Sequence, residues 1–450
     1  GEIMTFETKG KENNGATYGR RSDWQDLYSI AKKYYEALLA DPGNAQFHLT
    51  DPRGASDKSG RTFNNPYQYF FEQMHMDDAI YADESIYEYP MQQGGGNDGR
   101  PYSFGRPSSG GSKAAYPCKS YGQGRINPAY FYGVFDPNDM RRDVSITMTG
   151  SNGKGVEKLI PFVPNSKAEG GGLTLNKWDE NRQANPWVAA QRKSGINGPY
   201  MRMSEVYLGY AEVCAALGDV VTGKQYLKTV RERSFPQGLA NTDAFIASFG
   251  NDLVRAIIEE RGFEYAGEGD RRWTLIRSGY LPEDIKRIKD MTKAMMDGLA
   301  TKGYYEFENG NIISAYIWTK LVDAKTIYGH RLTAQCPMDK VNDPVLYPGW
   351  RGQKDNWEEM GLNYGSSTPA TNLAIKGLFE IVSEEEAASL ESQGYAKVNW
   401  GIDLVDYRDE YDKYLFWDYD YVSAPIYLWP FTPNVMAAGG FTNGYGFKQE

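Results

Sequence analysis

Arg202-Met203-Ser204-Glu205-Val206-Tyr207-Leu208-Gly209-Tyr210-Ala211-Glu212-Val213-Cys214-Ala215-Ala216-Leu217 is the stretch that decides the fold. Met203, Val206, Tyr207, Tyr210, Val213, Cys214 and Leu217 recur at the spacing of one helix face. Gly209, Ala211, Ala215 and Ala216 leave room for a second helix to approach closely. Gly218-Asp219 breaks the pattern. Thr222, with Gln225 three residues on, then reads as a capping box that opens a helix with Tyr226, Leu227 and Val230 facing inward. Together these predict an antiparallel helical hairpin.

Working outward, a third helix is expected over 252–266, with Leu253, Ala256, Ile257 and Ile258 on its apolar side and Gly267-Glu268-Gly269 at its end. Upstream, Leu27, Ile30, Ala31, Tyr34, Ala37 and Leu38 predict a helix over 23–40 that Asp41-Pro42-Gly43 stops. From 50 to 132 the chain is rich in Gly, Pro, Asn and Ser, which predicts loops carrying many aromatics. Val144-Ser145-Ile146-Thr147-Met148-Thr149 alternates apolar and polar residues as a half-buried strand does, with a turn expected at 150–153. Beyond 281, helices are expected over 282–300 and 383–392 among long aromatic loops.

Composition narrows the class. Apolar residues make up 40% and charged residues 24% of 450, ordinary for a chain that folds. A net charge of −10 argues against nucleic acid, whose backbone is bound through Lys and Arg. No run of about 18 apolar residues is present, so no helix is expected to span a bilayer. Cys118, Cys214 and Cys336 show no metal-ligand spacing, and Cys214 reads as a small core residue. The 34 Tyr, 10 Trp and 49 Gly suit ordered loops that display amphipathic rings.

The hairpin from Arg202 to Glu212, closing in Val230-Arg231-Glu232-Arg233, resembles a signature of the SusD/RagB family of outer-membrane nutrient-binding lipoproteins. Ile258-Glu259-Glu260-Arg261, Glu264, Glu268-Gly269, Arg271-Arg272 and Leu275-Ile276-Arg277 resemble its second signature. Weaker echoes are Glu84-Ser85-Ile86-Tyr87-Glu88, Asp139-Met140-Arg141-Arg142 and Pro425-Ile426-Tyr427-Leu428-Trp429-Pro430. Thr274 departs from the Asp usual in the family, and Leu428-Trp429-Pro430 departs from its closing motif. The resemblance implies a mainly α fold: a SusD-like helical scaffold with tetratricopeptide-like helix pairs, long aromatic loops and a few short β elements. It implies one domain over 1–450, with scaffold at 23–40 and 201–280 and a variable insertion at 281–421. Family members also begin with a signal peptide, a lipid-bearing cysteine and further helices, which this sequence is expected to lack.

Glu260, Arg261, Glu264, Glu268, Arg271, Arg272 and Arg277 invite a catalytic reading, because carboxylates beside arginines can be tuned for proton transfer. The stronger expectation is structural: Glu260 and Glu264 share a helix face, and Arg271 or Arg272 returns across the glycine turn to bond them. Only His48, His75 and His330 are present, and no HExxH or GxSxG motif occurs. No metal or cofactor is expected. Asp418 and Asp420, alternating with Trp417, Tyr419 and Tyr421, are the sole calcium candidate, and such alternation more often marks an edge strand.

The functional candidates are rings in loops, whose flat faces stack on a sugar or a peptide side chain. The resemblance points to loops between the middle echo and the strand. Tyr102, Phe104, Tyr116 and Tyr121, with Arg125 as polar partner, are therefore the first expected ligand contacts, and Tyr347, Trp350 and Trp357 the second. For each ring the plain alternative is packing of a loop onto helices. The implied function is non-catalytic capture of an oligosaccharide at the cell surface. A lipid outside this sequence would anchor the protein to the outer membrane, and a SusC-like TonB-dependent barrel would receive the ligand. The alternatives are a peptide ligand on the same fold and a helical glycoside hydrolase.

Overall fold

The structure is a computed structural model. It describes residues 6–9, 17–20, 22–43, 48–49, 51, 53, 65–73, 84–94, 103–107, 120–151, 157–164, 170–178, 195–323, 371–415 and 432–440. In chain order, a hairpin of β1 (Phe6–Lys9) and β2 (Thr17–Arg20) precedes α1 (Trp24–Ala40) and α2 (Pro66–Gln73). Then come β3 (Ser85–Tyr89), a π-helical turn at Tyr130–Val134, and the short α3 (Arg141–Ser145). Five short strands follow: β4 (Ile146–Thr147), β5 (Thr149–Ser151), β6 (Glu157–Leu159), β7 (Thr174–Leu175) and β8 (Gly198–Arg202). They form two-stranded antiparallel pieces, β3 with β8, β4 with β7 and β5 with β6.

The scaffold proper begins where β8 ends. Helix α4 (Met203–Ala216) pairs with α5 (Val220–Arg233), and α6 (Thr242–Ala247), α7 (Leu253–Glu264), α8 (Asp270–Ser278) and α9 (Leu281–Lys302) follow. A hairpin of β9 (Tyr304–Glu306) and β10 (Ile312–Ser314) leads to β11 (Tyr316–Asp323). That strand is the centre of a three-stranded sheet between β12 (Thr371–Lys376) and β13 (Ala396–Asn399). Helices α10 (Glu384–Ser392), α11 (Gly401–Asp406), α12 (Arg408–Leu415) and α13 (Pro433–Gly439) complete the described chain.

The hairpin forms as its spacing predicts. Helices α4 and α5 pack along each other, and α1 and α7 lie against α4. Cys214 is buried with Tyr28, Tyr210 and Val213 between α1 and α4. At Gly209 a Cβ would collide with the Tyr35 ring and hydroxyl, so glycine is what lets α1 come this close. A larger core joins the Tyr130–Val134 turn to α9 and the three-stranded sheet through Phe131, Tyr132, Met295, Met296, Ile317 and Trp400.

Two expectations are corrected. The cap of α5 is Asp219, whose carboxylate accepts from the Thr222 N–H at 3.2 Å. Asp and Thr both cap well, and the helix starts three residues earlier than the Thr222 box requires. The stretch 144–149 is not one half-buried strand: Val144 and Ser145 close α3, and the chain breaks at Met148 between β4 and β5. Every residue from Val144 to Thr149 is buried, because elements cover both sides. Asp270–Ser278 and Thr242–Ala247 are also helices, in stretches to which the sequence reading assigned no element.

Candidate ligand-binding surface and its buried frame

Helix α7 is buried on all sides, carboxylates included. The Glu264 carboxylate accepts from Arg233 at 2.6 Å, from Arg141 at 3.1 Å and from Arg202 in a short bond. Its backbone carbonyl accepts from Arg202 at 2.8 Å, from Lys177 at 3.2 Å and from the Tyr67 hydroxyl. Around it, Glu84 pairs with Arg233 at 2.6 Å and Arg202 at 3.2 Å, while Glu268 pairs with Lys177 at 2.6 Å and Arg202 at 3.0 Å. Arg141 forks onto Asp139 at 2.9 and 2.7 Å, and Glu260 sits between Arg141 at 2.7 Å and Arg231 at 2.9 Å.

Five cations (Arg141, Lys177, Arg202, Arg231, Arg233) thus meet five carboxylates (Glu84, Asp139, Glu260, Glu264, Glu268), all with buried side chains. Balanced and mutually bonded charge is the condition under which burial is tolerated. Burial opposes ionisation of Glu264, yet Arg202, Arg233 and Arg141 overcome it and hold that carboxyl below its usual range. Burial pushes the Lys177 ammonium down to about 8, against the pull of Glu268. Lys177 also lies over the Tyr67 and Phe71 rings, 5.1 and 4.8 Å from their centroids.

The structural reading of these charges is right in kind and wrong in its partners. Arg271 does not reach Glu260 or Glu264; it bonds Glu259 at 2.9 Å and Asp284 at 2.9 Å, and Arg287 joins both carboxylates. Glu259 faces α8 and α9, whereas Glu260 and Glu264 lie four apart on a different side of the helix. Arg277 grips Glu212 at 2.5 and 2.8 Å, and Thr274 donates to Asp270 at 2.9 Å beside Arg261. The residues that the sequence reading missed are Glu84, Asp139, Arg141, Lys177, Arg202, Arg231 and Arg233. For all but Lys177 the signal was present: each stands inside an echo or signature quoted above.

On this frame two chain segments, 103–107 and 120–126, run side by side. Gln123 N–H donates to Ser103 O at 2.6 Å, Ser120 Oγ to Gly105 O at 3.1 Å, and Ile126 N–H to Leu173 O at 3.0 Å. Thr174 Oγ1 donates to both Gly122 O and Gly124 O at 3.1 Å. Beneath them Arg106 and Glu157 form a fully buried ion pair. Of the expected contacts, Phe104, Tyr121 and Arg125 fall on these adjoining segments. Phe104 is 48% exposed, while Tyr121 and Arg125 are half-buried. Burial lowers the Arg125 pKa, with the neighbouring Tyr411 working against the shift. The guanidinium remains charged at any working pH. Tyr102, Tyr116, Tyr347, Trp350, Trp357, Asp418 and Asp420 lie outside the described residues.

Elsewhere, a groove of about 960 Å³ runs between α5 and the 236–243 segment, with no aromatic side chain among the described residues that line it. Among the described residues no cluster of His, Cys, Asp and Glu stands together as a metal site. No described helix is long and apolar enough to cross a membrane.

The SusD family model matches residues 46–431. The chain belongs to the SusD family. The match takes in the hairpin, α7, α8 and the whole of the buried frame. SusD-like protein P25 of Formosa agariphila is 28% identical over 160 residues, which are 35% of this chain and 26% of that protein. This SusD-family chain is thus matched to about a quarter of that relative's length. Among solved structures, a SusD homolog from Bacteroides thetaiotaomicron is 18% identical, covering 61% of this chain and 52% of its own, at a TM-score of 0.42. Surface glycan-binding protein A of the same organism, in complex with laminarihexaose, is 18% identical over 58% of this chain and 52% of its own, at 0.38.

Proposed function

We propose that this chain is a non-catalytic cell-surface binding protein that captures an oligosaccharide at the outer membrane and passes it to a SusC-like TonB-dependent barrel. A lipid holds it at the membrane. The observation that carries the reading is the division of labour around α7. The acids and arginines that would suggest catalysis are committed to one another inside the protein, while rings such as Phe104 stand outside on hydrogen-bonded segments. Rings held in place stack on a sugar at little entropic cost, and several together give selective, modest affinity.

The test is retention without turnover. Incubated with a panel of neutral oligosaccharides that includes laminarihexaose, the protein is expected to bind at least one in calorimetry and to return it unshortened by chromatography. Shortened products would overturn the reading in favour of a hydrolase. Binding confined to a peptide pool would overturn the choice of ligand.

A further inference from the structure

The β3–β8 ribbon carries rings that the sequence reading passed over. Tyr87, Tyr89 and Tyr200 are 59%, 54% and 68% exposed, and Met201 beside them is also exposed. Tyr87 and Tyr200 meet edge to face, with centroids 5.7 Å apart and planes at 89°, so they form a corner of two perpendicular ring faces. Tyr89, further along β3, pairs across the ribbon with Gly198, which puts no side chain opposite that ring.

We propose that this ribbon is a second stacking platform, for the pyranose rings of a neutral oligosaccharide, built from Tyr87, Tyr200 and Tyr89. It rests on the glycan-binding function proposed above and adds rings beyond those of the Phe104 segments.

The platform is rigid before any ligand arrives. At one end Ser85 pairs with Arg202, Met203 N–H donates to Glu84 O at 2.8 Å, and the Glu84 and Arg202 side chains enter the buried frame. At the other end Asn197 Nδ2 donates to Glu88 at 2.9 Å, and Met91 N–H donates to Asn197 Oδ1 at 2.8 Å. Rings fixed in this way lose little freedom on binding. A pyranose presents an apolar C–H face to one ring and hydroxyls to the phenol groups at the rim.

Other occupants fit less well. An added peptide strand needs an even row of backbone donors and acceptors. Here the register of β3 shifts twice, between Ser85 and Tyr87 and between Tyr87 and Glu88, and Pro199 removes a donor from β8. A stable protein partner covers roughly 800 Å², far more than three tyrosines and a methionine offer. A sulfated or uronate chain would find no exposed cation on the ribbon: its charged residues are Glu88 and the buried Arg202.

The experiment compares wild type with Tyr87→Ala/Tyr200→Ala, Tyr87→Phe/Tyr200→Phe and, as a control in the ring-free groove, Lys224→Ala. Each is titrated with the neutral oligosaccharide that wild type binds best, laminarihexaose being tried first. The alanine pair is expected to lose roughly three- to tenfold per ring, the phenylalanine pair less than threefold and the control nothing, all at unchanged melting temperature. If the alanine pair melts early, Tyr200→Ser alone gives the same readout, because that ring is the most exposed of the three. Full affinity in a folded alanine variant would overturn the platform and leave the proposed function standing. A wild type that binds no neutral oligosaccharide would overturn both. A peptide that binds wild type, and is lost with the alanine pair when no glycan binds, would reassign the ribbon.

Discussion

Tyr200 and Arg202 are two residues apart on one strand, yet the first is 68% exposed and the second 1%. Glu84, fully buried just ahead of the paired strand, and the exposed Tyr87 on it are three residues apart. One short ribbon therefore belongs to two regions with opposite physical chemistry. Inside, charges are packed and bonded until none is left in water. Outside, rings are left in water and held still. The difference teaches that the frame contributes to the surface indirectly: it fixes where the rings stand.

Removing Glu264 is the strongest way to break that arrangement. Glu264→Ala leaves Arg141, Arg202 and Arg233 each short of a buried partner, and loss of one member of a buried ionic group costs about 3–5 kcal/mol. Chemical denaturation is expected to show a drop of that size. A loss below about 1 kcal/mol would mean that the frame is not cooperative. Acid should act in the same direction on wild type. The folded-state pKa of Glu264 is depressed, so its stabilisation is present above the unfolded value near 4.3 and is lost as pH falls below that. Glu212, Asp270 and Asp284 are also lowered against the opposition of burial, chiefly by Arg277, Arg261 and Arg271 respectively, and they steepen the same acid limb.

How far these regions are legible in sequence follows from the range of the forces. Helices α1, α4, α5, α7 and α9 are visible because their apolar residues repeat at a spacing set within each helix. The partners of Glu264 are not, because Arg233, Arg202 and Arg141 lie 31, 62 and 123 residues away. Reasoning along one helix and across one turn reaches only Arg271 and Arg272. The echoes at 84–88 and 139–142 marked the correct segments, since Glu84, Asp139 and Arg141 lie in them, but not what they touch. For the surface, Phe104, Tyr121 and Arg125 were named from loop position. Tyr87, Tyr89 and Tyr200 were passed over because exposure in a strand depends on what covers each face, and periodicity does not report that.

A smaller effect isolates the frame from the alkaline side. The folded-state pKa of Lys177 is lowered to about 8, against about 10.4 unfolded. Between those values the unfolded chain binds a proton that the folded chain does not, so stability rises with pH. That contribution amounts to about 2 kcal/mol between pH 8 and pH 10. Tyr67, Tyr130, Tyr132 and Tyr265 are all pushed up by burial, so they ionise first in the unfolded chain and lower stability as pH nears 10, against the Lys177 contribution. That contribution is therefore read as a difference: the stability of wild type relative to Lys177→Met, whose side chain still covers the Tyr67 and Phe71 rings, should rise by that amount between pH 8 and pH 10. A difference that stays constant across this window would assign the titration to another group.

The smallest expected change in stability, and the sharpest test of the comparison, is on the surface itself. Phe104 is half exposed, and its nearest described constraint is the close passage of Gly124, whose added Cβ would lie 3.4 Å from the ring. The segments beneath it are joined by backbone bonds and by the Arg106–Glu157 pair, none of which involves the ring. Phe104→Ala should therefore stay within about 0.5 kcal/mol of wild type, as surface substitutions do. If the ring contacts ligand, affinity for the bound oligosaccharide should fall roughly threefold or more, the scale of one lost aromatic contact. A variant that loses stability instead of affinity would make Phe104 a packing residue. The ligand surface would then rest on the tyrosine ribbon, whose rings are anchored by the frame but contribute nothing to it.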